Sequence, residues 1–77
     1  MDYTKRQKRL VVGLYCYLIV ASKRVVLLED AEDEEVAAEL CALGLAGIRQ
    51  TNSGRKTVYL TLDGEYVALG ILDTLGL

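Results

Sequence analysis

The sequence predicts a small α+β domain, with helices packed beside a C-terminal β-hairpin and a closing helix. Three observations carry this reading. Apolar residues recur at helical spacing in two stretches, about Thr4–Ser22 and Asp33–Leu43. Between Lys56 and Leu62 the pattern instead alternates, with Val58, Leu60 and Leu62 on one side and Thr57, Tyr59 and Thr61 on the other. Gly44 and the run Asn52-Ser53-Gly54-Arg55 fall between these segments, where turns are required. With 77 residues, no linker and no internal repeat, residues 1–77 are expected to form one domain around one core.

The first element is a long helix from about Thr4 to Ser22, with Thr4 as a candidate N-cap and Leu10, Leu14, Tyr17, Leu18 and Ala21 as its apolar stripe. Its Val- and Tyr-rich second half also fits a strand. Val12, Cys16, Ile19 and Val20 lie on other sides of the same helix, so one small domain cannot cover it. The run Val25-Val26-Leu27-Leu28 fits either a buried strand or one helical turn. A second helix follows, capped by Asp30 or Asp33 and carrying Glu34 and Glu35 in its first turn, where carboxylates favour the helix dipole. Val36, Ala37, Leu40, Cys41 and Leu43 form its predicted buried stripe, and Gly44 its C-terminal stop. Strands at Ala46–Thr51 and Lys56–Leu62 flank the hairpin turn. The last helix opens near Thr61 to Asp63 and runs to Leu75, with Gly76 as its stop and Leu62, Val67, Ile71, Leu72 and Leu75 as its apolar side.

Composition narrows the function classes. Without histidine, and with Cys16 and Cys41 far apart, no zinc-type ligand set can be assembled within one chain; no metal and no cofactor is expected. The two cysteines read as small core hydrophobes rather than a disulfide. The apolar stretch Leu10 to Ala21 is too short to span a bilayer, and no small-residue cleavage pattern follows it, so a cytoplasmic location without membrane association is expected. No phosphate loop and no nucleophile with an adjacent base is present. The acids near Asp30, Glu32 and Glu34 are explained by a helix start, so no enzymatic activity is expected.

Net charge is −2, but its distribution is uneven. Residues 1–28 carry six bases (Lys5, Arg6, Lys8, Arg9, Lys23, Arg24) against Asp2 alone. Residues 29–45 carry seven acids and no base, and residues 46–58 carry Arg49, Arg55 and Lys56 with no acid. Such asymmetry directs attention to surfaces rather than to a catalytic cleft. Four bases in the first turns of a helix oppose its dipole, so something beyond local helix chemistry must favour them.

The run Glu39-Leu40-Cys41-Ala42-Leu43-Gly44-Leu45-Ala46-Gly47-Ile48-Arg49 resembles the exit of the recognition helix in winged helix-turn-helix regulators. There a leucine and a Gly-Leu step lead into the first wing strand. The wing would then be Gln50 to Tyr59. Leu60-Thr61-Leu62-Asp63-Gly64 resembles the leucine-threonine-x-x-glycine step into the final helix of MarR-type and small archaeal regulators. The resemblance spans about residues 34–70 and implies a winged-helix domain in which the second helix of the helix-turn-helix pair is shortened or replaced by the Val25–Leu28 run. It also implies duplex DNA as partner. The exposed face of the presumed recognition helix, Glu34, Glu35, Ala38, Glu39 and Ala42, does not suit base reading, because carboxylates oppose phosphate neutralisation.

The expected function is therefore a small homodimeric DNA-binding protein, a transcriptional regulator. It would contact DNA through a basic wing (Arg49, Arg55, Lys56) and a basic N-terminal region (Lys5, Arg6, Lys8, Arg9, Lys23, Arg24). Its dimer seam would draw on Val12, Tyr15, Cys16, Ile19 and Val20 from the first helix and Ile71, Leu72 and Leu75 from the last. The alternative is a protein-protein module in which the acidic segment 29–39 docks a basic surface without any DNA.

Overall fold

A computed structural model describes residues 2–74. It contains helix α1 (Lys5–Val20), strand β1 (Val25–Leu27), helix α2 (Ala31–Ala42), strands β2 (Ala46–Gln50) and β3 (Lys56–Leu60), and helix α3 (Leu62–Thr74). The strands form an antiparallel sheet in the order β1-β3-β2. The chain is thus α+β, as its periodicities predict. The ends of α3 assigned to Leu75 and Gly76 lie outside the described residues.

The start of α1 follows from a reciprocal cap. Thr4 Oγ1 accepts from the Gln7 amide (3.1 Å), and Gln7 Oε1 accepts from the Thr4 amide (3.0 Å). This satisfies two amide donors that a helix start otherwise leaves open. The Thr-x-x-Gln spacing therefore makes Gln7 a partner of the predicted Thr4 cap. At its other end α1 closes through Ser22 in the left-handed region (φ 55°), with the Lys23 amide donating to the Tyr17 carbonyl at 3.0 Å.

The core phase of α1 differs from the expected stripe. Val11 (1% exposed), Val12 and Leu14 are its buried residues, whereas Tyr17 and Ala21 face solvent. Nearly every residue from Leu10 to Val20 is apolar, so periodicity cannot select a face; docking against the other elements does. Val25–Leu27 resolves as a strand because its three residues pair with Thr57–Tyr59 of β3. No helix stands between α1 and α2 among the described residues. Where the resemblance implied a second helix shortened or replaced by the Val25–Leu28 run, the chain forms strand β1.

Asp30 stands at the N-cap of α2 but makes no side-chain capping bond, and the first turn carries Glu32, Asp33 and Glu34. Val36, Ala37 and Leu40 are buried as expected; Leu43 is 39% exposed because it forms the C-cap after the last core-facing turn. Leu40 is fully enclosed, and truncating such a side chain costs about 2–5 kcal/mol. Beyond it, the Gly44 amide donates to the Cys41 carbonyl and the Leu45 amide to the Leu40 carbonyl, which turns the chain into β2.

Leu62 also departs from expectation. It continues the inward alternation of Val58 and Leu60 on paper, but it is 67% exposed. β3 ends at Leu60 because Thr61 begins α3 instead. The Thr61 hydroxyl accepts from the Gly64 amide (3.1 Å) and donates to the Gly44 carbonyl (2.7 Å), while the Thr61 amide donates to the Leu45 carbonyl (3.0 Å). One residue thus caps α3 and ties it to the exit of α2. A Cβ on Gly64 would collide with the Leu45 carbonyl oxygen. The Leu-Thr-x-x-Gly step therefore has a physical content here: a buried leucine, a capping threonine, and a glycine that admits a neighbouring backbone.

Candidate nucleic-acid interface

The hairpin between β2 and β3 is a well-bonded loop. The Thr51 amide donates to the Arg55 carbonyl (2.7 Å), and the Gly54 amide donates to the Thr51 carbonyl (2.9 Å). Gly54 takes a positive φ of 85°, the usual role of glycine after a turn of this kind. The Thr51 hydroxyl accepts from the Arg55 amide, and Gln50 Nε2 donates to the Gly54 carbonyl. Arg55 is thereby presented on an ordered, exposed turn rather than on a loose one.

The other two bases of the hairpin are engaged within the chain. Lys56 Nζ lies 3.3 Å from Glu34 Oε1 on α2. Arg49 places its guanidinium 5.2 Å from the Tyr59 ring centroid, and the ring lies against Gly47, its register partner across the strands. A Cβ on Gly47 would run into the Tyr59 ring. Arg49 is exposed and Tyr59 half-buried, so the stack builds a flat, cationic patch on the outer face of the sheet.

The four bases at the start of α1 are solvent-facing or half-buried. Arg6 Nε lies 3.3 Å from Glu32 Oε1, and Gln7 Nε2 donates to Glu39 Oε1 at 2.7 Å. The acidic side of α2 thus runs alongside the start of α1 and offsets the unfavourable placement of Arg6 in the helix dipole. Both ion pairs are largely solvated, so each contributes no more than about 1 kcal/mol.

These contacts define which predicted residues come together. Arg6 and Lys56 are both tethered to the first turn of α2, so the start of α1 and the turn end of the hairpin flank the acidic beginning of α2 from two sides. Lys23 and Arg24 do not join them. They precede Val25, which pairs with Tyr59, and β3 runs from Tyr59 back to Lys56 before the hairpin tip begins. At about 3.4 Å per residue, Arg55 lies roughly 14 Å along the sheet from the Tyr59 level. Glu32, Glu34 and Glu39 of α2 thus have their partners in the same chain.

The residues expected at a dimer seam divide as well. Val12 (7% exposed) and Ile71 (8%) belong to the chain's own core, to which Tyr15 and Leu72 pack half-buried. Cys16, Ile19 and Val20 are exposed, and Leu75 lies outside the described residues. Exposed apolar residues that the expectation omitted are Tyr17 on α1 and Leu62, Tyr66 and Leu69 on α3. Both cysteines are free; Cys16 is exposed, and partial burial raises the Cys41 thiol above its ordinary pKa.

Among the described residues, no cluster of three or more histidine, cysteine, aspartate or glutamate side chains is arranged to hold a metal ion. No described helix is long and apolar enough to cross a membrane. Set against family models, curated proteins and solved structures, the chain matches none of them.

Proposed function

We propose that this chain is a small winged-helix protein that works as a homodimer, binds duplex DNA through its phosphates, and serves as a transcriptional regulator. The observation that carries the reading is the pair of basic groups on either side of the first turn of α2: the start of α1, and the hairpin with Arg55 at its ordered tip. The element order and the β1-β3-β2 sheet are compatible with a winged-helix layout, in which the β2–β3 hairpin is the wing. The solvent-facing ridge of α2, with Ala31, Glu35, Ala38 and Ala42, offers no base to phosphate and little to a base edge. Binding is therefore by backbone contact and weakly sequence-dependent, with Lys5, Lys8, Arg55 and the Arg49–Tyr59 stack as its contacts and Lys23 and Arg24 as a second, separate group.

Docking of a basic protein on segment 29–39 draws less support, because Glu32, Glu34 and Glu39 already have partners within the chain. Fluorescence anisotropy with a mixed-sequence duplex tests the reading. Binding in the micromolar range or tighter at low salt, weakened by Arg55→Ala together with Lys5→Ala, is the expected result. Absence of binding at low salt would overturn it.

A further inference from the structure

The two helices that flank the core leave complementary faces uncovered. Helix α1 contains four bases and no acid; α3 contains three acids and no base. Each carries exposed apolar side chains: Tyr17 (51%), Ile19 and Val20 (85%) on α1, and Leu62 (67%), Tyr66 and Leu69 on α3. Each also has a glycine inside the helix, Gly13 and Gly70, whose missing Cβ would meet nothing within 4 Å. Glycine is unfavourable inside a helix, and nothing within this chain exploits its absent side chain at either position. A groove of about 380 Å³ runs over Gly13 along Cys16, Tyr17 and Val20.

From this we infer that a second copy of the chain covers these faces, with α1 of one copy lying antiparallel on α3 of the other. The inference rests on the homodimer reading above and specifies its seam. The spacing of the exposed residues fits. From Arg9 to Val20 is 11 residues along α1, and from Asp73 back to Leu62 is 11 along α3. Both stretches span roughly 16 Å of helix. Aligned antiparallel, Arg9 meets the partner's Asp73, Gly13 meets the partner's Gly70 and Leu69, Tyr17 meets the partner's Tyr66, and Val20 meets the partner's Leu62. The charged pair lies at one end, the two glycines let the backbones approach, and the aromatic and aliphatic residues fill the rest. Arg9 and Asp73 are exposed and make no ion pair among the described residues, although Arg9 lines one surface cleft with Glu32 and Asp33.

The area suffices. Five of these side chains lie on the seam (Tyr17, Val20, Leu62, Tyr66 and Leu69), about half to four-fifths exposed, and offer on the order of 100 Å² each, so a closed pair with two such seams buries roughly 1,000 Å², at the threshold for a specific interface. Closure follows if the seam occurs twice, because residue i of one copy then meets j of the other and j meets i. On this arrangement Arg9 serves the seam, and Lys5 and Lys8 are the bases of α1 left for DNA.

Sedimentation equilibrium on the whole chain, with circular dichroism to confirm folding, tests the seam. The wild type is expected to dimerise at micromolar concentration. Arg9→Asp and Asp73→Arg should each raise the dimer dissociation constant at least about tenfold, and the two together in one chain should restore it to within about threefold of wild type. A dimer that neither single substitution weakens, or that the double substitution fails to restore, would overturn the seam while leaving dimerisation intact. A wild-type monomer at these concentrations would overturn both. Val20→Glu provides a second arm without charge reversal; it should also weaken the dimer, and an unchanged dimer would count against the seam.

Discussion

If the acids of α2 hold two of the chain's bases away from phosphate, removing those acids should strengthen DNA binding. Replacing Glu32 and Glu34 together by glutamine keeps their shape and removes the charges that sit 3.3 Å from Arg6 and Lys56. The four side chains of the two ion pairs are 40–66% exposed, so the loss of both pairs costs at most about 1–2 kcal/mol of stability after solvent screening, and the fold should persist. Releasing two cations adds two potential phosphate contacts. Each contributes a slope of about −0.9 in log affinity against log salt, so the double variant should steepen the slope by about 1.8. At 0.1 M salt the same relation corresponds to roughly eightfold in affinity per contact. Fluorescence anisotropy of a labelled mixed-sequence duplex, titrated between about 50 and 200 mM salt, reads both quantities. Asp33→Asn with Glu35→Gln is the control, because it removes the same charge from two acids that form no ion pair among the described residues. An unchanged slope in the Glu32/Glu34 variant, or an equal gain in the control, would refute the argument that pairing masks Arg6 and Lys56.

Three further outcomes follow from the packing. Gly47→Ala would push a methyl group into the Tyr59 ring, so urea unfolding should show a loss of about 1–3 kcal/mol, and Tyr59→Ala in the same chain should return part of it. Thr61→Ala removes both the cap of α3 and its tie to the Gly44 carbonyl; a stability loss of about 1–2 kcal/mol is expected by the same measurement, larger than for Thr74→Ala at the exposed end of the helix. A thiol-labelling time course at mildly alkaline pH should separate the cysteines. Exposed Cys16 should react first and Cys41 slowly, because burial raises the Cys41 pKa and leaves less thiolate at any given pH; equal rates would contradict the placement of Cys41.

The parts of this fold legible in the sequence are those set by local chemistry. Gly44 marks the end of α2, the Asn52–Arg55 run marks the hairpin, and the Leu-Thr-x-x-Gly step marks the start of α3 because a cap and a close approach need those residue types. What escaped depends on partners distant in the chain. Val25–Leu27 reads equally as a turn of helix until β3, some thirty residues later, supplies its ladder. The face of α1 could not be read from a segment apolar on every side, which is why Val12 was expected at a seam and is found in the core. For the candidate site, the bases were visible from their types, but their pairing was not. Arg6 and Glu32, or Lys56 and Glu34, are joined only once α1, α2 and the hairpin pack together. The Thr4–Gln7 box is a different case, since both of its partners lie three residues apart and depend on nothing distant in the chain.

The central claim is that DNA is met by the hairpin and the basic turns of α1, and not by the outer ridge of α2. Backbone amide shifts of the labelled protein, followed as a mixed-sequence duplex is added, test it residue by residue. The expected perturbations concentrate at Lys5, Lys8, Arg49 and Gly54 to Lys56, with Ala31, Glu35, Ala38 and Ala42 nearly silent. The largest changes falling on that α2 ridge, or none appearing at low salt, would contradict the account.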